Sequence, residues 1–157
     1  MKRVNKILND KLYIETLKKI EEVETTREFC KHNFQHFIDM ARISYIRMLE
    51  EGLHYDKEII YAIGVLHDIG RYEEYKNGIP HHIASVDIAK IILEDKGFKE
   101  EEIQIILKGI YEHRKGSDNI LGKIVYESDK LSRECYRCKA KDTCNWKEEK
   151  KNLKIKY

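Results

Sequence analysis

The sequence has one proline and eight glycines in 157 residues, so few points are marked for tight turns. Alternating apolar and polar residues are almost absent, and Leu153 to Tyr157 is the only short stretch that reads as a strand. That excludes a sandwich or barrel, which needs many short strands at regular spacing, and leaves an all-α fold. No apolar run approaches the roughly 18 residues that a membrane span requires. None of signal-peptide length follows the basic start MKRVNKILND. A cytoplasmic protein without a membrane partner is expected, its cysteines reduced and free to bind metal or do chemistry. Charge of one sign is also missing: 30 Lys and Arg against 28 Asp and Glu leave a net +2. The most basic region, Lys147 to Lys156, contains Glu148 and Glu149. Nucleic-acid binders carry a far stronger basic face, so no nucleic-acid partner is expected.

What is present suits a helical bundle. Charged residues make up 37% and hydrophobic ones 41%, and the length fits one domain, 1–157, with a cysteine-containing tail over 134–157. About six helices are predicted. Leu12, Ile14, Leu17, Ile20 and Val23 recur at helical steps. Thr25 and Glu28 have the spacing of a capping box that would open a second helix running through Phe29, His36, Met40, Ile43 and Arg47 to Gly52. Asp56 caps a third, which carries Ile59, Ala62, Ile63 and Leu66 into His67 and Asp68. A loop is expected from Tyr72 to Ile79. Pro80 then opens a fourth helix, beginning with His81 and His82 and running towards Gly97. A fifth spans about Glu100 to His113. Gly116 and Ser117 form a stop and a new cap, and a sixth helix covers about Asn119 to Arg133.

Several of the seven histidines fall at helical positions that face inward. His36 shares a face with Met40 and Ile43, and Asp129 shares one with Val125. His67 and Asp68 close the apolar run Ile63 to Leu66. A carboxylate on a core-facing stripe is costly unless it is paired or bound to a metal, which is a physical reason to expect a metal site.

In this order and context the residues resemble the HD-domain phosphohydrolases: a helix with a lone histidine, His36 in HFIDMAR; a His-Asp pair, His67 and Asp68 in GVLHDIGR; and a distant aspartate, Asp129 in ESDKLS. The resemblance covers about Cys30 to Arg133. It implies that His36, His67, Asp68 and Asp129 ligate one metal. It further implies that His81, ahead of ASVDIAKIIL, and His113 in YEHRKG hold a second, with Asp68 bridging; His82 competes with His81 for that place. Imidazole and carboxylate suit one or two divalent transition metals such as Fe, Mn or Zn. Two such ions polarise a phosphoryl oxygen and lower the pKa of water. Arg71, four residues after His67, would hold a substrate phosphate, assisted by Lys130 or Arg114. His32, one turn before His36, reads as a partly exposed helix residue, with a supporting place behind the metal ligands as the alternative, and His54 reads as a loop residue.

The cysteines form a second constellation: Cys30, then Cys135, Cys138 and Cys144 in CYRCKAKDTC. A C-x2-C with one nearby and one remote cysteine matches zinc or iron–sulfur ligation. Cys30 precedes His36 by six residues and Cys135 follows Asp129 by six. On antiparallel helices meeting at one metal, both cysteines would lie at the same level. The expected function is metal-dependent hydrolysis of a small phosphoester or phosphoanhydride, a nucleotide foremost. The alternatives are a di-iron HD oxygenase with the same ligands, and a non-catalytic metal, nucleotide or redox sensor.

Overall fold

The computed structural model describes residues 1–115 and 117–157. It is all-α, with eight α-helices and no strand among the described residues. These are α1 (Lys2–Leu8), α2 (Lys11–Val23), α3 (Phe34–Glu50), α4 (Lys57–Leu66), α5 (Arg71–Asn77), α6 (His81–Leu93), α7 (Glu100–Glu112) and α8 (Ile120–Leu131). Two single 3-10 turns follow, at Cys135–Arg137 and Glu148–Lys150.

Helix α4 is the axis of the fold. Every residue from Ile59 to Leu66 is buried, as expected of a helix that is apolar all round and enclosed by others. It packs on α1, α3 and α7; α8 closes against α3 and α7, and α6 joins α7 to α5. The approach of α3 to α4 is possible because residue 64 is glycine. A Cβ there would stand 2.4 Å from Ala41 Cβ and 2.6 Å from Ala41 Cα. At the other end of the His-Asp turn, a Cβ on Gly70 would meet Ser85 N at 2.4 Å and His81 O at 2.5 Å. These two small residues bring three histidine-bearing segments together.

Side-chain caps set the helix starts. Asp10 accepts from the N–H groups of Leu12 and Tyr13, Asn33 from His36, Asp56 from Glu58 and Asn119 from Gly122. Arg3, on α1, pairs with Glu58 of α4 and Glu102 of α7, both at 2.7 Å, and lies over the Phe98 ring. The N-terminal helix is thereby tied to two core helices at once.

Four local expectations are corrected. Thr25 opens no helix: its hydroxyl donates back to the carbonyls of Glu21 and Glu22. It therefore finishes α2, and α3 starts only at Phe34, after the irregular stretch 24–33. The expected loop from Tyr72 to Ile79 is mostly helix α5, with Glu73 and Glu74 in its first turn and Lys76 in its last, charges that suit the helix dipole. Gly78, at φ 71°, is its left-handed terminator. Leu153 to Tyr157 is not a strand. The cap of α8 is Asn119 rather than Ser117, whose hydroxyl instead accepts from Asn119. Gly116, the expected stop, lies outside the described residues.

Candidate metal centre

His36 sits in the first turn of α3, and His67 and Asp68 leave the end of α4. His81 opens α6, His113 ends α7, and Asp129 lies near the end of α8. All except Asp129 are buried, and all six converge. His36 Nε2 is 3.2 Å from His67 Nε2 and 3.3 Å from Asp129 Oδ1. Asp68 Oδ2 completes this set, 3.2 Å from His67 Nε2 and 3.6 Å from His36 Nε2. The other oxygen of the same carboxylate, Oδ1, faces the Nε2 atoms of His81 at 3.4 Å and His113 at 3.5 Å, which are 3.2 Å from each other. Asp68 thus stands between two donor sets, one oxygen turned to each.

Two neighbouring donors bound at about 2.1 Å to one ion are about 3 Å apart when they meet it at a right angle. The observed separations lie close to that. Proton bookkeeping gives an independent test of fit. His67 Nδ1 donates to the Gly64 carbonyl at 2.7 Å, and His113 Nδ1 to the Ile110 carbonyl at 2.5 Å. His81 Nδ1 donates to Glu74 Oε2 at 2.8 Å. His36 Nδ1 meets Ser132 Oγ at 2.8 Å, and that hydroxyl spends its own proton on the Asp129 carbonyl at 2.7 Å. Each Nδ1 therefore carries a ring proton, which leaves Nε2 as the atom each ring can offer to a cation. Two pairs of Nε2 atoms face each other at 3.2 Å around a carboxylate. The Asp129 Oδ1 atom is also buried without a hydrogen-bond partner. Only cations make such an arrangement favourable, and the residues present fit divalent metals.

The electrostatics agree. Burial opposes a charge on Asp68, but Arg71, His67 and His32 more than reverse this and hold its carboxyl well below the usual range. Burial likewise opposes protonation of His67, yet Asp68 and Asp129 crowd its Nε2 and push it up to about 9, so the two carboxylates draw a positive charge to that point, a proton or a metal ion. Burial pushes His81 down to about 4 despite Asp68 beside it. His36 is lowered by burial and by Arg133.

The structure separates His81 from His82 and adds Glu24, Glu74 and Arg133 to the residues around the site. His82 is buried with neither ring nitrogen hydrogen-bonded, tilted against Tyr111; it is His81 that faces Asp68. His32 is not a partly exposed helix residue. It lies in the stretch before α3, buried, with Nδ1 donating to Glu24 Oε1 at 2.5 Å and Nε2 3.7 Å from Asp68 Oδ2. Glu24 is also held by the Tyr75 hydroxyl at 2.6 Å. Burial would raise the Glu24 carboxyl, but His32 and Tyr75 bring it down to about 2. Glu74 and Arg133 were not singled out by sequence either; Arg133 Nη2 lies 3.6 Å from Asp129 Oδ1. Their spacing carries no motif, although Arg133 follows Asp129 by one helical turn. His54 is exposed in a loop, as expected.

Arg71 reaches the site, its Nε 3.1 Å from Asp68 Oδ1, but not through helical continuity with His67, since α4 ends at Leu66 and Arg71 begins α5. Lys130 is turned elsewhere: its ammonium donates to the Tyr126 carbonyl and lies over the Tyr126 ring. The antiparallel-helix argument for the cysteines fails in its premise. Cys30 lies in irregular chain ahead of α3, and Cys135 opens a 3-10 turn beyond the end of α8. Cys30, Cys135 and Cys138 nevertheless line one cleft of about 450 Å³.

No helix is long and apolar enough to cross a membrane among the described residues. The family model described as HD domain matches residues 33–134. An uncharacterized protein of Clostridium beijerinckii (strain ATCC 51743 / NCIMB 8052) is 50% identical over 157 residues, covering all of both chains. No solved structure matches the chain.

Proposed function

The chain belongs to the HD-domain family, a superfamily of metal-dependent hydrolases, and we propose that it is a phosphohydrolase acting on a small phosphoester or phosphoanhydride, a nucleotide foremost. The observation that carries this reading is the Asp68 carboxylate, with one oxygen turned to each of two sets of imidazole Nε2 atoms. His36, His67, Asp68 and Asp129 would hold one divalent ion, and Asp68, His81 and His113 a second. When bound, the ions supply a water of lowered pKa and a Lewis acid for the phosphoryl oxygen.

The protein's own groups do the rest. Arg71 is held against Asp68 and Glu74, and Arg133 is anchored by donation to the Lys31 carbonyl at 2.8 Å. Two guanidinium groups on opposite sides of Asp68 supply fixed donors for phosphoryl oxygens. His32, fixed through Glu24, presents an unprotonated Nε2 towards the same carboxylate, in a position to take a proton. Arg114, the residue after His113 in the chain, lines a cleft of about 360 Å³ together with Tyr126, Lys130, Trp146, Lys147 and Lys150. Cations around aromatic rings suit an anionic substrate with a planar base.

The test is metal analysis of anaerobically purified protein followed by a screen of nucleotides and simple phosphoesters, reading phosphate release. Multiple turnovers that vanish in Asp68→Asn support the reading. Oxygen consumption with a diol or phosphonate, and no phosphate release from the nucleotides and phosphoesters, would overturn it in favour of an oxygenase. Tight nucleotide binding without turnover would mark a sensor.

A further inference from the structure

The segment 134–157 is ordered without the usual means. Only Cys135 and Ala140 are buried among its apolar residues, and Leu153, Ile155 and Tyr157 are exposed. A stretch that removes so little apolar surface from water cannot offset its conformational entropy by packing. A few polar ties fix it: Asn152 donates to the carbonyls of Leu131 and Arg133, and Thr143 meets Glu28. Short segments of this kind are ordinarily stapled by a disulfide or a metal. All four cysteines of the chain are free thiols in this region or in the stretch 24–33 beside it.

The cysteines are placed to share one ligand. The 3-10 turn Cys135–Arg137 and the bond from Cys138 N to the Cys135 carbonyl fold the C-x2-C back on itself. Cys30, from the opposite segment, lines the same cleft as Cys135 and Cys138. Cys144 is brought to the same segment by its neighbour Thr143, whose hydroxyl meets the carboxylate of Glu28, two residues from Cys30. Burial is the main influence raising that thiol; Cys135 and Cys144 add to it, and Arg133 opposes it.

We propose that Cys30, Cys135, Cys138 and Cys144 ligate one iron–sulfur cluster, which fastens the C-terminal segment to the stretch ahead of α3. The spread of the sulfurs favours a cluster over a single zinc. Around one zinc, with bonds of 2.3 Å, they would stand about 3.8 Å apart. Among the described residues, however, the groups of three or more donors within 4.8 Å of one another are the two His/Asp sets, and the cysteines form none. In a four-iron cluster each thiolate caps a different iron, so the four sulfurs are held farther apart. The cleft that would receive it is bordered by His36 and Ser132, yet the inference does not depend on phosphohydrolase activity.

The full chain, purified without oxygen and reconstituted with equal parts of ferrous and ferric iron and with sulfide, should carry about four acid-labile sulfides. It should also show visible absorption that dithionite bleaches. Sulfide is the discriminating readout, because iron at the histidine centre brings none. Cys30→Ser and Cys138→Ser should each retain less than about a tenth of it, while His67→Ala keeps it. In the wild-type protein, reconstitution should slow proteolysis after Arg133. Wild-type protein with no bound sulfide overturns the proposal, as does one zinc lost with the cysteines. Full sulfide in Cys30→Ser would remove Cys30 from the site and overturn the four-cysteine cluster.

Discussion

His81 is oriented by Glu74: the ring donates from Nδ1 to Oε2 at 2.8 Å, and Arg71 donates to the same oxygen at 2.7 Å. One carboxylate therefore decides which nitrogen of His81 points at Asp68 and also steadies the neighbouring guanidinium. Partners that fix a ligand histidine are worth about 10–100-fold in metal affinity. Glu74→Ala should lower affinity at the second donor set by that factor and leave the first set unchanged, as read by chelator competition. Glu74→Gln, which can still accept from the ring, should lose less. Equal affinities in wild type and Glu74→Ala would show that α6 alone fixes the ring.

Asp68 serves both donor sets, whereas His113 serves one. Metal content should fall from about two ions per chain to about one in His113→Ala, and towards none in Asp68→Asn. Helix content by circular dichroism should stay near wild type in both. Asp68→Asn with full occupancy would contradict the bridging geometry.

Gly64 leaves no room for a side chain. An added methyl collides with Ala41 Cβ, Cα and N at 2.4, 2.6 and 2.9 Å. Gly64→Ala should cost about 1–3 kcal/mol, as overpacking does, and weaken metal binding by parting His36 from His67. Urea denaturation measures the first effect and metal titration the second. Because two of the three contacts are to backbone, adding Ala41→Gly should not restore the loss.

Asp10 links stability to pH away from the metal centre. It caps α2 and meets Lys96 at 2.9 Å. Burial raises its carboxyl, but Lys96 and the capping N–H groups outweigh burial, so its folded pKa lies below the ordinary value. The unfolded chain then takes up the proton first as pH falls. The contribution of Asp10 is complete above about pH 4 and drains away below it. Asp10→Asn keeps a capping oxygen and loses the charge, and should cost about 1 kcal/mol at pH 7. In urea melts the gap between the two proteins should shrink at pH 3. A gap that is the same at both pH values would mean Asp10 does not titrate in this range.

Periodicity and caps made most of the fold legible. Helices α2, α4, α7 and α8 fall within about two residues of their expected spans, and α6 starts at His81 as expected but ends at Leu93, short of Gly97. Helices α1 and α5 were not legible because seven residues show barely two turns of pattern, and α5 buries none of its own. Thr25 misled because a hydroxyl three or four residues past a carbonyl can close a helix as readily as a Thr-x-x-Glu spacing can open one. At the site, the six converging residues could be named from motif order, which is local. His81 and His82 could not be told apart because both are buried in the same first turn. Glu24, His32 and Glu74 act through irregular chain or the short α5, where sequence spacing says little about direction.

The family match begins at residue 33, but the fold does not. Ile7, Tyr13 and Ile20 belong to the same core as Ile63 and Ile110, and Arg3 holds two carboxylates of the central helices. Trimming the chain to 33–134 would strip one wall from that core and leave Glu58 and Glu102 without their shared cation. It would also remove Glu24 and His32, opening the flank of the Asp68 carboxylate to water. The smallest autonomous piece of this protein is consequently larger than its recognisable signature, and homologous chains cut at the signature should be recovered insoluble.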